Sequence, residues 1–186
     1  MLYIYIMDKI TQLFKSLTNN TNQNNQVMDV LKNIKSSDIL EFSLNGVKTS
    51  GKIVEIYDGD TCKIVLLNNN VLQKFNCRIN GIDTPEMKPP LNKPNREIEI
   101  KNAYRCRNRL IQLSTTINTD VDSDIKKVSL DTNIKIVYVE CLEFDKYGRL
   151  LVNIYEKEKS LSYNDILINE GFAKKYNGGT KDEFIY

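Results

Sequence analysis

Histidine is missing from all 186 residues, and no other absence excludes as much chemistry. Without imidazole there is no Ser-His or Cys-His nucleophile pair, no imidazole general base and no His-containing zinc site. Cysteine is present but ill-spaced for a metal. Cys62, Cys77, Cys106 and Cys141 form no C-x-x-C pair, and at least three fall inside apolar runs. Reduced, buried thiols are the expected state, in place of a disulfide or a zinc site. Charge of one sign is scarce too. A net charge of +2 is too small to announce a nucleic-acid partner by itself, so any basic footprint must be local. It is local: Lys and Arg outnumber Asp and Glu over 51–113, while 114–145 runs the other way. Long apolar runs are also lacking. The opening MLYIYIM (residues 1–7) is stopped by Asp8, far short of a bilayer span, and has neither a basic leading region nor a small-x-small cleavage site. Neither a cleavable signal nor a membrane span is expected, which favours an intracellular protein.

What is present is enough for one domain with an appendage. A hydrophobic fraction of 41% can build a core, and 27% charged residues is ordinary for a soluble chain. Ile6, Ile10, Leu13, Phe14 and Leu17 recur at helical spacing, with Lys9 and Lys15 between them. This predicts an amphipathic helix packed on the domain or on a second copy of the chain. The sharper alternative, membrane contact through residues 2–17, is disfavoured by the thin cationic face. The polar run NNTNQNNQ (19–26) reads as a linker. Val27, Val30, Leu31 and Ile34 predict a short helix, and 39–44 a strand turned by Asn45-Gly46. The expected division is an N-terminal extension over 1–36, an amphipathic helix plus an Asn-rich linker, and a domain over 37–186.

The chemistry is concentrated in 58–86. Strands expected over 52–57 and 62–67 flank D-G-D-T (58–61), a strong hairpin signal. In the next strand Val71, Phe75, Cys77 and Ile79 share one face, while Lys74, Asn76, Arg78 and Asn80 share the other, so Arg78 stands on a polar face. A helical stripe follows in Ile100, Ala103, Tyr104, Arg107, Leu110 and Ile111, then a polar, acidic insertion over 114–132. Strands over 134–142 and 150–155 are joined by F-D-K-Y-G-R (144–149), with Gly148 as the left-handed turn residue. Ser162 caps a helix over 163–170, and Gly171 ends it. The order β-β-β-α-β-β-α predicts an α+β fold: a five-stranded OB-type Greek-key barrel with two or three helices.

Asp60, Asp83 and Glu86 stand where strands give way to loops, and oxygen ligands at loop tips suit a hard cation. A guanidinium beside them suits a phosphate. Metal, arginine and a spare carboxylate together point to phosphodiester hydrolysis. Each feature has a plainer reading. Asp58-Gly59-Asp60 can be a hairpin turn alone, 83–86 a helix start, and Lys146 to Arg149 a solvated turn. Pro89 and Pro90 leave such a helix little room. Arg105 and Arg109 are read as solvating their helix. Asp120, Asp122, Asp124 and Asp131 echo a calcium loop, but Ile125 stands where glycine is needed, so an acidic surface loop is expected. The joint occurrence of the first three features favours a site over three coincidences.

Those blocks, Y-D-G-D-T (57–61), R-I-N-G-I-D-T-P-E (78–86) and D-K-Y-G-R (145–149), resemble the staphylococcal nuclease (thermonuclease) family, with G-F-A-K (171–174) as a weaker fourth. The resemblance spans about residues 50–180. It implies the family's five-stranded barrel and calcium-dependent cleavage of DNA or RNA, with 3′-phosphate ends. By position it implies Asp60 and Asp83 as the Ca2+ carboxylates, with the Thr84 carbonyl as a further ligand. Glu86 corresponds to the residue that activates or orients the attacking water, and Arg78 and Arg149 to the pair that holds the scissile phosphate. Lys146 and Tyr147 correspond to contacts with a terminal phosphate. The base-stacking tyrosine is assigned to Tyr176, which is not in exact register. The alternative is a catalytically silent nucleic-acid-binding or protein-binding barrel; such modules usually lose catalytic positions, and none of the principal ones is lost here.

Overall fold

Alternation of buried and half-buried side chains marks two of the main strands. Cys62, Ile64 and Leu66 point one way from β2 (Thr61–Asn68), as do Leu150, Val152 and Ile154 from β6 (Leu150–Tyr155). The computed structural model describes residues 21–118, 120–123, 130, 135–179 and 181–185. The chain falls into two units, Met1–Phe42 and Ser43–Tyr186. The helix expected from Ile6 to Leu17 lies outside the described residues, as do Asp124 and Asp131 of the acidic insertion.

In the first unit, helix α1 (Thr21–Asn33) begins earlier than the hydrophobic positions indicate and takes in residues 21–26, expected as linker. Once Val27 to Lys32 hold a helix, each added turn costs only the propagation step, so weak helix formers are carried along. A short 3-10 turn follows at Ser36–Asp38. Residues 39–44 form no strand, contrary to expectation, and Ile39, Leu40 and Phe42 are exposed. Apolar residues alone do not make a strand without a ladder to join.

The second unit is a closed barrel in the order β1-β2-β3-β6-β5, completed by β1 (Lys48–Ile56), β3 (Val71–Ile79) and β5 (Ile136–Phe144). All pairings are antiparallel except β3 with β6. This is the predicted OB-type architecture. Its interior is filled by Ile53, Ile64, Leu66, Cys77, Ile79, Val139, Leu150, Val152 and Ile154. β6 pairs only with Cys77–Ile79 of β3. The first half of β3 therefore runs on with β2 alone, and Val71, expected inside, is exposed.

Helix α2 (Arg96–Ser114) lays Ala103, Cys106, Leu110 and Ile111 on the core, while Tyr104, expected on that stripe, faces outward. Helix α3 (Tyr163–Asn169) adds Tyr163 and Leu167. Its cap is the expected Ser162, whose hydroxyl accepts from the Asp165 amide. Arg109 is bound in a fork to Glu170 and Arg105 pairs with Asp122, so both serve structure. All four cysteines are free and buried. Burial pushes the Cys77 thiol up to about 12 and that of Cys141 to about 11, which keeps them unreactive. One small sheet was not anticipated. β4 (Ile82–Asp83) pairs antiparallel with β7 (Lys174–Lys175), and the Tyr176 amide donates to the Gly81 carbonyl. This ladder brings the C-terminal segment beside the acidic loop. Among the described residues no helix is long and apolar enough to cross a membrane.

Candidate active site

Asp58 and Asp60 divide the work of the first turn. The Asp58 carboxylate accepts from the amides of Asp60 and Thr61 and so closes the turn on itself. Gly59 is not needed there for an unusual φ, because its backbone is not left-handed. A Cβ on it would stand 2.2 Å from Cys106 Sγ and 3.0 Å from Thr84 Cγ2. Absence of a side chain lets the turn press against α2 and the 82–86 loop. Asp60 is thereby carried into the interior, only 4% exposed.

Arg78 leaves the polar face of β3, as the alternation predicts, and its guanidinium joins the acids. Nη1 lies 2.7 Å from Asp60 Oδ2, and Nη2 lies 3.8 Å from Asp83 Oδ1 and donates to the Ile82 carbonyl at 3.1 Å. One cation thus spans both aspartates. Burial, reinforced by the nearby Asp58 charge, raises the Asp60 carboxyl to about 6, against the opposing pull of Arg78, the Thr61 hydroxyl and Lys181.

Arg149 arrives from the β5–β6 turn. Register pairs Arg78 with Leu151 on the parallel strand β6. Arg149 immediately precedes β6, two residues before Leu151, and lines the same cleft as Arg78. Asp145 holds it: Oδ2 takes Nε at 2.8 Å and Nη2 at 2.7 Å, while Oδ1 takes the amides of Tyr147 and Arg149, each at 2.9 Å. Burial alone would raise the Asp145 carboxyl, but those donors and the Arg149 charge together hold it below its ordinary range. Gly148, at φ 77, supplies the left-handed residue that the turn requires. The Arg149 guanidinium lies over the Tyr147 ring, 5.6 Å from its centroid, and the Lys146 ammonium lies over the same ring at 5.1 Å.

Glu86 is exposed, and the loop that carries it is pinned from below. Its amide donates to Oε1 of Glu99, a buried acid on α2 that also pairs with Lys93. Residues 83–86 start no helix. Lys181, from the C-terminal segment, then bridges two of the acids, with Nζ 2.8 Å from Asp83 Oδ1 and 2.7 Å from Glu86 Oε1. Burial alone would lower its pKa, but the hydrogen bonds and charges of Asp83 and Glu86 hold it above its ordinary value.

These groups face one cleft of about 870 Å³. Asp60, Arg78, Thr84, Glu86, Lys146, Tyr147, Arg149 and Tyr176 line it. Asp83 does not, and meets the cleft through Arg78 and Lys181. The Arg78 guanidinium stands 5.9 Å from the centroid of the Tyr176 ring, whose hydroxyl donates to the Gly179 carbonyl.

The family model for staphylococcal nuclease homologues matches residues 76–184. The chain belongs to that family. A search of curated proteins finds no match to it. The matched span takes in Arg78, Asp83, Glu86, Arg149 and Lys181, while Asp60 lies before it. Membership accords with the OB-type barrel and places this staphylococcal nuclease homologue in a nuclease-like, nucleic-acid-binding family. Sequence reasoning missed three residues at the site. Asp145 and Glu99 each hold a loop that lines the cleft, and Glu99 carried a signal, an acid in line with Ala103 and Cys106 on the buried stripe. Lys181 carried none, because only the β4–β7 ladder brings it near.

Proposed function

We propose that this family member is a calcium-dependent, sugar-nonspecific nuclease that hydrolyses phosphodiester bonds of DNA and RNA and leaves 3′-phosphate ends. The observation that carries this reading is that Arg78, from β3, and Arg149, from the turn leading into β6, line one cleft together with Asp60 and Glu86. A phosphodiester under attack gathers negative charge on its non-bridging oxygens. Two guanidinium groups fixed beforehand by Asp60, Ile82 and Asp145 stabilise that charge more in the transition state than in the ground state. The Glu86 carboxylate, exposed to the cleft, takes a proton from the attacking water. The water oxygen bonds to phosphorus as the bond to the 5′ oxygen breaks, and that oxygen takes a proton from solvent. Lys146 and Tyr147 receive a terminal phosphate at the rim, and Tyr176 offers a ring to a base.

Among the described residues no three acidic, cysteine or histidine side chains gather as a metal cluster. The donors fit a hard cation nonetheless. Asp60 and Asp83 are spanned by one guanidinium, so a common cation is within reach of both, and the Lys181 ammonium already stands at Asp83 and Glu86. Asp60, Asp83 and the Thr84 carbonyl would hold Ca2+ through oxygen alone. When bound, Ca2+ supplies positive charge at the phosphate and orients the water.

The test is digestion of single-stranded DNA and RNA with Ca2+ or with EDTA. Cleavage in Ca2+ alone, with 3′-phosphate products, is expected. Equal cleavage in both, or none with any metal, removes the reading.

A further inference from the structure

Lys181 reaches the site from outside the barrel, and it occupies the acids most needed elsewhere. Its ammonium touches Asp83, a proposed Ca2+ ligand, and Glu86, the proposed base, at 2.8 and 2.7 Å. The segment that carries it is tied down on both sides. Upstream, β7 pairs with β4 and the Tyr176 hydroxyl donates to the Gly179 carbonyl. Downstream, Lys174 donates to the Glu183 carbonyl at 2.5 Å and lies 4.9 Å over the Phe184 ring. Asn177, Gly178 and Gly179 line the cleft between these ties.

We infer that Lys181 is a resident counter-cation of the acidic site, which a divalent cation must displace from Asp83 in order to bind. The inference rests on the calcium reading above. Two cations cannot share the Asp83 oxygen at contact distance without repulsion, so metal entry and release of the Lys181 ammonium are linked. Linkage lowers the apparent metal affinity and loosens the strap when metal enters. The same exchange frees Glu86 from its ammonium partner, so the base becomes available as the site loads.

Calorimetric titration of Ca2+ alone into the full chain tests this, with Lys181→Gln compared against Lys175→Gln, which removes the same charge from β7. Lys181→Gln is expected to tighten Ca2+ binding by about fivefold, and Lys175→Gln by about twofold at most, the scale set by a partly exposed pair. Amide hydrogen exchange over 177–185 is expected to rise in the wild type when Ca2+ is added and to be already high in Lys181→Gln. Equal or weaker affinity in Lys181→Gln, or a strap whose exchange ignores Ca2+, overturns the inference and leaves the calcium reading intact. Absence of Ca2+ binding in all three proteins sinks both.

Discussion

The backbone of Gly59 lies against the Cys106 thiol, so closely that a Cβ at Gly59 would stand 2.2 Å from Sγ. This contact, between a turn and a helix distant in sequence, fixes how deeply Asp60 is seated. Gly59→Ala is expected to cost about 1–3 kcal/mol, the scale of overpacking in a closed interior. Urea denaturation measures it. In a Cys106→Ala background the same substitution is expected to cost less, because the nearest atom is gone. Equal costs in the two backgrounds would mean that the contact does not set the packing.

Arg149 and Asp145 form the second testable pair. Arg149→Ala is expected to lower turnover on the order of a hundredfold, as loss of one preorganised charge at a developing anion does. Asp145→Asn keeps an oxygen for the turn amides but replaces the one that aims the guanidinium. A fall of about tenfold in kcat, with thermal stability nearly kept, is expected. A rate unchanged by Arg149→Ala would reduce that residue to a turn former.

Much of the barrel was legible because one side of each strand faces oil and the other water. β2 and β6 alternate cleanly, and their residues fall where the period of two puts them. Val71 shows the limit of that reading. Its alternation is correct, but whether a strand's end is covered depends on how far its neighbour extends, and β6 stops short. Residues 39–44 carry apolar side chains without a ladder, which no local pattern reveals. The acids and arginines of the cleft were visible as blocks. Their supports were not, since Glu99 and Lys181 act across separations of 13 and 95 residues from Glu86.

Asp60 makes stability depend on pH in an unusual direction for a carboxylate. Its folded pKa, raised to about 6, exceeds the ordinary value of 3.8. Between these values the folded chain binds more protons at this group than the unfolded chain, so its contribution to stability falls as pH rises from about 4 to about 6. In EDTA, the urea midpoint of the wild type relative to Asp60→Asn is expected to decline across that window. Added Ca2+ is expected to flatten the decline, because a bound cation favours the charged form. Parallel pH profiles for the two proteins in EDTA would show that burial does not govern this acid.

Glu99 offers the cleanest separation of fold from function. Its Oε1 accepts the Glu86 amide, while its charge pairs with Lys93. Glu99→Gln keeps an oxygen of the same reach, so the Glu86 loop is expected to hold and kcat to stay within about threefold of the wild type. Glu99→Ala removes that oxygen and leaves Lys93 without its buried partner. Here kcat is expected to fall by about tenfold or more, with KM little changed, because the proposed base is misplaced and the proposed phosphate grip of the arginines is not. Stability should drop in Glu99→Ala as well, by about 1–3 kcal/mol. A Gln variant as slow as the Ala variant would assign the role to the Glu99 charge and exclude the hydrogen bond as the positioning contact.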